Sequence, residues 1–464
     1  MNKTAAVVLL AGTSWLGVAC GGGAGGGAGG GGEEPPPVIQ EVTASSTAVQ
    51  VGDHVSLAAS ATDPRSRPLS YAWSAHPAGC GSFSDATAAA PVLTALWPGT
   101  CSITVTVSAG GAFATSAALH IAISSRAAGG VPAPMPRVAH VYAFMYADGA
   151  TATASVSGLG LAVVRWSRAG DTAPWAFSVN DGYDLRLRDG ARNVPVDYVI
   201  EASADGGSTW PATLATVTGN TYLTRAHVVD LTGYGAVRMR LTSAPRNGGV
   251  SFYGTDLDVH DARAGTDDWW LALGDSLTTN VWHVHDSVKF GTRIHARDPG
   301  RFPVAHEGGV SGITIPAFLS TSWTGSDGRP IFARWMDDFP GRYVVLAVGT
   351  NDCSAGTPID TMEQGFRQLV QLVVDAGKVP VVPTLRWTYI NAATPARIEA
   401  WNARLAAICA SFPTCVPGPD TFTRAQAQGL AGLQGDQTHL NQAGITLTHE
   451  DWDLWAMATV YAAP

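Results

Sequence analysis

The sequence predicts a multidomain fold: two all-β sandwich domains, then a layered α/β domain with a parallel sheet. Three observations carry that prediction. Over residues 38–123, and again over 137–265, apolar residues recur at every second position between short turn-rich stretches, the period of half-buried strands. From residue 266 to the end the period changes, and short continuous apolar runs alternate with stretches of helical spacing, as where helices cover a parallel sheet. The 464 residues exceed one ordinary domain, and the 46% of hydrophobic residues can fill several cores.

Taken in order, residues 1–20 have the layout of an export signal. Lys3 gives a positive start, residues 5–11 are apolar, and small residues lead to Cys20. The apolar run is too short for a good membrane span. Leu16-Gly17-Val18-Ala19-Cys20 resembles the lipobox of bacterial lipoproteins, in which the cysteine is lipidated and becomes the new N-terminus. Gly17 departs from the leucine usual there, and ordinary cleavage near Ala19 is the alternative. Residues 21–37, rich in Gly and then Pro, read as a tether. The expected location is a bacterial cell surface or outer membrane by lipid anchor, or else secretion.

In residues 38–123, Val55, Leu57, Ala59 and Ala61 alternate with His54, Ser56, Ala58 and Ser60, and Ile103, Val105 and Val107 continue the period. The runs Val51-Gly52-Asp53, Asp63-Pro64 and Leu69-Ser70-Tyr71-Ala72-Trp73 resemble immunoglobulin-like modules of the PKD type. That resemblance implies a spacer, with a binding role as the alternative. Residues 124–136 read as a linker. In residues 137–265, Tyr198–Ser203 is strand-like, and Val237, Met239 and Leu241 alternate with Arg238 and Arg240. The stretch Glu201–Trp210 with Val237–Leu241 is loosely similar to jelly-roll modules of the galactose-binding type. Trp166, Trp175, Tyr183 and Trp210 either stack on sugar rings or fill the sandwich core.

The α/β stretch opens on Trp269–Leu273, a buried-strand run that stops at Gly274-Asp275-Ser276-Leu277. Residues 343–348 and 379–385 read as further strands. Phe366, Leu369, Val370, Val373 and Val374 mark a helix stopped by Gly377, and Thr394-Pro395 starts another. Residues 442–461 read as a closing helix.

Of six cysteines, Cys80 and Cys101 are expected to pair, as are Cys409 and Cys415, in an oxidising compartment. Cys353 is left over. Charged residues are 14% of the chain and the net charge is −9, with no basic cluster, so no nucleic-acid partner is expected. His283-Val284-His285-Asp286 is not read as a metal site, because helical positions two apart face different sides. No metal and no cofactor are expected.

Acyl transfer needs a nucleophile, a base, a group orienting the base, and donors for the oxyanion. Ser276, at a strand's carboxyl end, is the candidate nucleophile. His439 is the candidate base, and Asp436, three residues earlier, the carboxylate that holds its tautomer. The N–H groups of Ser276 and Gly312 and the side-chain amide of Asn351 are the candidate oxyanion donors. Asn351 stands in Gly349-Thr350-Asn351-Asp352. Gly309 is the alternative to Gly312 within Gly308-Gly309-Val310-Ser311-Gly312.

These four stretches, with Asp436-Gln437-Thr438-His439, resemble the SGNH hydrolases, also called GDSL esterases, over about 200 residues. The resemblance implies a flavodoxin-like three-layer fold and metal-free ester hydrolysis through an acyl-enzyme. His306-Glu307 stands where many members carry an asparagine, and is expected to alter the site wall. A jelly-roll module before an SGNH domain is similar to a group of carbohydrate acetyl esterases. The expected function is therefore O-deacetylation of an acetylated polysaccharide. A lipolytic or aryl esterase is the alternative within the family. A non-catalytic carbohydrate-binding surface protein is the alternative outside it.

Overall fold

The structure, a computed structural model, describes residues 6–8, 34–50, 53–76, 80–95, 99–124, 130–145, 148–169, 195–220, 224–243, 254–282, 289–310, 312–320, 332, 336, 341–387, 394–429, 433 and 438–462. Cys20, Trp175, Tyr183, His283, His285, Ser311 and Asp436 lie outside the described residues, as does most of the expected signal and tether. The chain divides into two compact units, Met1–Leu96 with Thr100–Ile123, and Trp97–Gly99 with Ser124–Pro464. Among the described residues no helix is long and apolar enough to cross a membrane.

The first unit is a sandwich of two sheets. One runs Ala6–Val8, Val38–Ala44, His54–Thr62, Val92–Ala95, Gly81–Phe83; the other runs Ala48–Gln50, Leu119–Ser124, Gly99–Ala109, Ser70–His76. The alternation seen in the sequence becomes an inside and an outside. Val55, Leu57 and Ala59 are buried while their neighbours are exposed. Trp73 is buried among them, and its Nε1 donates to the Ala88 carbonyl at 2.8 Å. Cys80 and Cys101 are disulfide-bonded.

The second unit opens with another antiparallel sandwich. One sheet runs Arg137–Phe144, Gly254–Asp261, Leu161–Ala169, Thr224–Asp230, and the other Thr151–Ser155, Ala236–Ser243, Asp197–Ser203, Ala212–Val217. Trp166 is fully buried and meets Tyr198 edge-on, so it fills the core and is withdrawn as a sugar platform. Trp210 is half-buried, with the Arg238 guanidinium 4.3 Å over its ring.

The α/β domain follows in the same unit. Its described strands are β1 (Trp269–Gly274), β2 (Val304–Gly309), β3 (Tyr343–Ala347), β4 (Val379–Val382) and β5 (Val416–Pro417). They are parallel and lie in the order β2-β1-β3-β4-β5, the flavodoxin-like arrangement. The helices are α1 (Ser276–Trp282), α2 (Phe290–Arg297), α3 (Ile315–Leu319), α4 (Thr350–Ala355), α5 (Ile359–Asp375), α6 (Thr394–Ala410), α7 (Thr423–Gln428) and α8 (Gln442–Thr459). Side chains alternate across the sheet, so β1 feeds both faces. Leu271 and Leu273 pack with Phe366 and Leu369 of α5 and Trp401 of α6. Trp270 and Ala272 pack with α1, α2 and α8 through Val281, Phe290 and Trp452. The result is three layers around two cores. α5 ends as its spacing predicts: Gly377 adopts φ +70°, and the Gly377 and Lys378 N–H groups bond back to Val374 and Val373, a Schellman ending. Cys409 and Cys415 are disulfide-bonded at the far end of α6, and Cys353 is a buried free thiol.

Sandwich and α/β domain share a buried seam in which Met135, Val163 and Ala262 meet Trp269 and Val304. Arg301 donates to Asp268 at 2.7 Å and to the Pro132 carbonyl at 2.9 Å, and Arg165 donates to Asp258 at 2.7 Å and the Ala305 carbonyl at 2.9 Å. His306 belongs to this seam, contrary to the sequence expectation that it forms the site wall. It accepts from Trp269 Nε1 at 3.0 Å, and the charges bearing on it come from the sandwich, Arg165 and Arg225. Strand alternation allows this, because His306 and Glu307, as neighbours in β2, point to opposite faces of the sheet.

Candidate active site

Open α/β sheets bind ligands at the carboxyl ends of their strands, where the strand order reverses. Here that place lies between β1 and β3. The β1 strand ends at Gly274, and Ser276 is the first residue of α1, 9% exposed. The turn is fixed locally: Asp275 Oδ1 accepts from the Leu277 N–H at 2.9 Å, and its carbonyl accepts from Thr279 N–H at 3.2 Å. Asp275 is fully buried, and burial pushes its carboxyl up to about 6. The charge of His439 bears on it in the opposite direction, so the imidazole stands close to this turn.

The glycine stretch after β2 separates into two roles. Gly309 pairs with Gly274, and a Cβ on it would sit 2.5 Å from the Thr279 nitrogen and 2.8 Å from the Asp275 carbonyl. Only glycine lets β2 approach α1 this closely. Gly312 lies beyond, exposed, with φ +72° and nothing within 4 Å of a built Cβ. Gly309 is therefore a packing glycine, and Gly312 is the one with an open turn.

Beyond β3 the chain turns at Gly349 into α4. Asn351 Nδ2 donates to the Ile313 carbonyl at 2.9 Å, and the Asp352 carboxylate accepts from the Ile315 N–H at 3.1 Å. Two consecutive side chains thus lace the Asn351 segment to the residues just after Gly312. A carboxamide has two N–H donors, so Asn351 keeps a second.

His439 is half-buried, at the end of the loop before α8. The next residue, Leu440, exchanges two hydrogen bonds with Asn280 of α1: its N–H donates to Asn280 Oδ1 at 2.8 Å, and Asn280 Nδ2 donates to its carbonyl at 3.4 Å. Asn280 is four residues after Ser276 and hence on the same helix face. The helix that begins with Ser276 holds the residue after His439. Leu440 is itself buried in the core of that layer, and Asn441 caps α8 by accepting from the Gly444 N–H at 3.0 Å.

The structure therefore brings the segments that carry Ser276, His439, Gly312 and Asn351 to one end of the sheet. Asn280 was not singled out from the sequence. Its signal was available as an amide one helical turn after the serine, in a helix otherwise buried.

Comparison with known proteins agrees with this domain. Residues 272–447 match the GDSL-like Lipase/Acylhydrolase family. No curated protein sequence matches the chain. Among solved structures, a member of the lipolytic protein G-D-S-L family from Veillonella parvula DSM 2008 is 15% identical, covering 42% of this chain and 99% of its own, with a TM-score of 0.32. An acetylxylan esterase from Geobacillus stearothermophilus is 17% identical over 39% of this chain and 91% of its own, TM-score 0.31. A salicylyl-acyltransferase from a tetracycline biosynthetic pathway, SsfX3, is 12% identical over 70% of this chain and 83% of its own, TM-score 0.34. With β-rich domains ahead of it, residues 272–447 of this chain form a domain of the GDSL-like lipase/acylhydrolase family, a serine ester hydrolase.

Proposed function

We propose that Ser276 is the nucleophile, His439 its general base and Asp436 the carboxylate orienting that base. In this reading the N–H groups of Ser276 and Gly312 and the Asn351 amide receive the oxyanion. The hydroxyl of Ser276 attacks the ester carbonyl carbon as its proton passes to His439. The tetrahedral intermediate collapses, the C–O bond to the alcohol breaks, and His439 returns the proton to the departing alkoxide. Water, deprotonated by His439, then attacks the acyl-serine and releases the acid. The observation that supports this most is the reciprocal pair between Asn280 and Leu440, which ties the helix of the serine to the neighbour of the histidine.

The substrate we propose is an O-acetylated polysaccharide, from the order of a jelly-roll-like module before the hydrolase. Aryl or lipid esters are the competing substrates. For the N-terminus we propose lipidation at Cys20, with the Gly- and Pro-rich residues as a leash. The test is acetate release from a panel of acetylated glycans beside 4-nitrophenyl esters of short and long acids, with the protein and its Ser276→Ala variant. The expected outcome is turnover of acetyl esters by the protein, and a loss of at least ~10³-fold in the variant. Equal rates for the two proteins, or none, would return the domain to a non-catalytic binding role.

A further inference from the structure

A small, half-open cleft of about 50 Å³ lies beside α1, at the carboxyl ends of β3 and β4. Its walls are mainly apolar, with Leu277, Val281, Trp282, Leu385 and Trp452 among them. Two ionisable side chains also line it, Asp275 and Arg386. Asp275 and Leu277 are the residues on either side of Ser276, so the cleft begins within a residue of the proposed nucleophile.

Arg386 is the unusual member. Only 7% of it is exposed. Its Nη1 donates to the Gly444 carbonyl at 3.2 Å and to the Thr448 hydroxyl. Its Nη2 is buried with no hydrogen-bond partner. Among the described residues no carboxylate lies within ion-pairing distance of it, and Asp451, the nearest acid acting on it, is paired with Arg424 at 2.7 Å. A guanidinium buried without a counter-charge is costly, and proteins retain such a group where something completes it. Burial lowers Arg386 only to about 10, so it is a cation at neutral pH.

We propose that this cleft is a subsite for a carboxylate on the ester substrate, received by the Arg386 guanidinium. The inference rests on the ester-hydrolase reading of the neighbouring serine. A carboxylate fits better than a phosphate, because one free guanidinium nitrogen in an apolar wall matches a single negative charge, whereas a dianion would remain largely uncompensated. It fits better than a neutral hydroxyl, which leaves the buried charge uncancelled. The carboxylate can sit on the acyl part of the ester or on the alcohol part.

Two pairs of esters separate those sources. 4-Nitrophenyl hemisuccinate against its methyl ester carries the charge on the acyl side, and 4-acetoxybenzoate against its methyl ester carries it on the alcohol side. The expected result is a kcat/KM at least 10-fold higher for the acid in one pair, falling to about parity in Arg386→Met and partly kept in Arg386→Lys. Binding gives a second readout, because Trp282 and Trp452 line the cleft. Tryptophan fluorescence of the Ser276→Ala protein should respond to benzoate at a concentration at least 10-fold below benzamide, and Arg386→Met in that background should remove the difference. If the wild-type protein hydrolyses the neutral esters but prefers the acid in neither pair, the carboxylate subsite is wrong and the esterase reading stands. If benzoate binds with Arg386 dependence but no ester is hydrolysed, the subsite stands and the esterase reading fails. Benzoate and benzamide binding equally to the Ser276→Ala protein would overturn the subsite directly, even if Arg386→Met does not fold.

Discussion

Asn280 links the segment of the proposed nucleophile to the segment of the proposed base. Its two bonds to Leu440 are the described polar link from α1 to the loop that delivers His439. Asn280→Ala leaves the Leu440 N–H, in a buried setting, without its acceptor, which costs about 1–3 kcal/mol. The larger effect should be kinetic. An imidazole freed to drift by an ångström loses reactive geometry, and kcat/KM should fall by about 10²-fold. Asn280→Asp keeps an oxygen for the Leu440 N–H and should recover part of that loss. Steady-state kinetics beside urea denaturation separate the two effects, and an alanine variant with wild-type kcat/KM would show that the pair is only structural. The same scale shows why some candidate site residues were legible and others not. Ser276, Asn351 and His439 stand in short motifs, so the sequence points to them. Asn280 and Arg386 act through partners 160 and 58 residues away, Leu440 and Gly444, and no local pattern announces a long-range bond.

At the scale of elements, the contact of β2 with α1 depends on a missing side chain. The Cβ that Gly309→Ala adds would press on backbone atoms of Thr279 and Asp275, which cannot swing away. We expect a destabilisation of about 3 kcal/mol, at the upper end for overpacking. Gly312→Ala meets no neighbour, and its cost is the left-handed backbone alone, about 1 kcal/mol. Urea denaturation of both variants checks the order, and a Gly312 variant less stable than the Gly309 one would contradict the division of roles. Legibility follows the same physics. The β1 strand was legible because it is buried on both faces and reads as a continuous apolar run, and α5 was legible from its 17-residue amphipathic period and glycine stop. The seven-residue α1 is too short for a period to declare itself, and only the motif marked its start. The role of His306 was misread because one sequence position cannot say which face of β2 meets the sandwich.

Across the whole second unit, buried ionisable groups oppose one another in their response to acid. His260 and His449 are at most 1% exposed, and burial pushes both down to about 4. Asp268 and Asp275 are equally buried, and burial pushes both up to about 6. The histidines are neutral in the folded unit and protonate on unfolding below about 6.5. Their contribution is fully present above that value and is lost as the pH falls toward 4. The two carboxyls act in the reverse sense: their contribution is present at low pH and is lost as the pH rises through about 6. The net slope between pH 6.5 and 4 is therefore shallower than either class alone would give, and a single histidine is best isolated by difference. His449 suits this, because its Nε2 donates to the Val281 carbonyl at 2.9 Å, a bond that a glutamine amide can replace. Relative to His449→Gln, the wild-type unit should lose about 1.4 kcal/mol per pH unit between pH 6 and 4.5, and about 3 kcal/mol by pH 4. Urea unfolding of both proteins at intervals across that range measures the difference. Parallel stability curves would mean that His449 takes up its proton in the folded unit, against the burial that α1 and α8 impose on it.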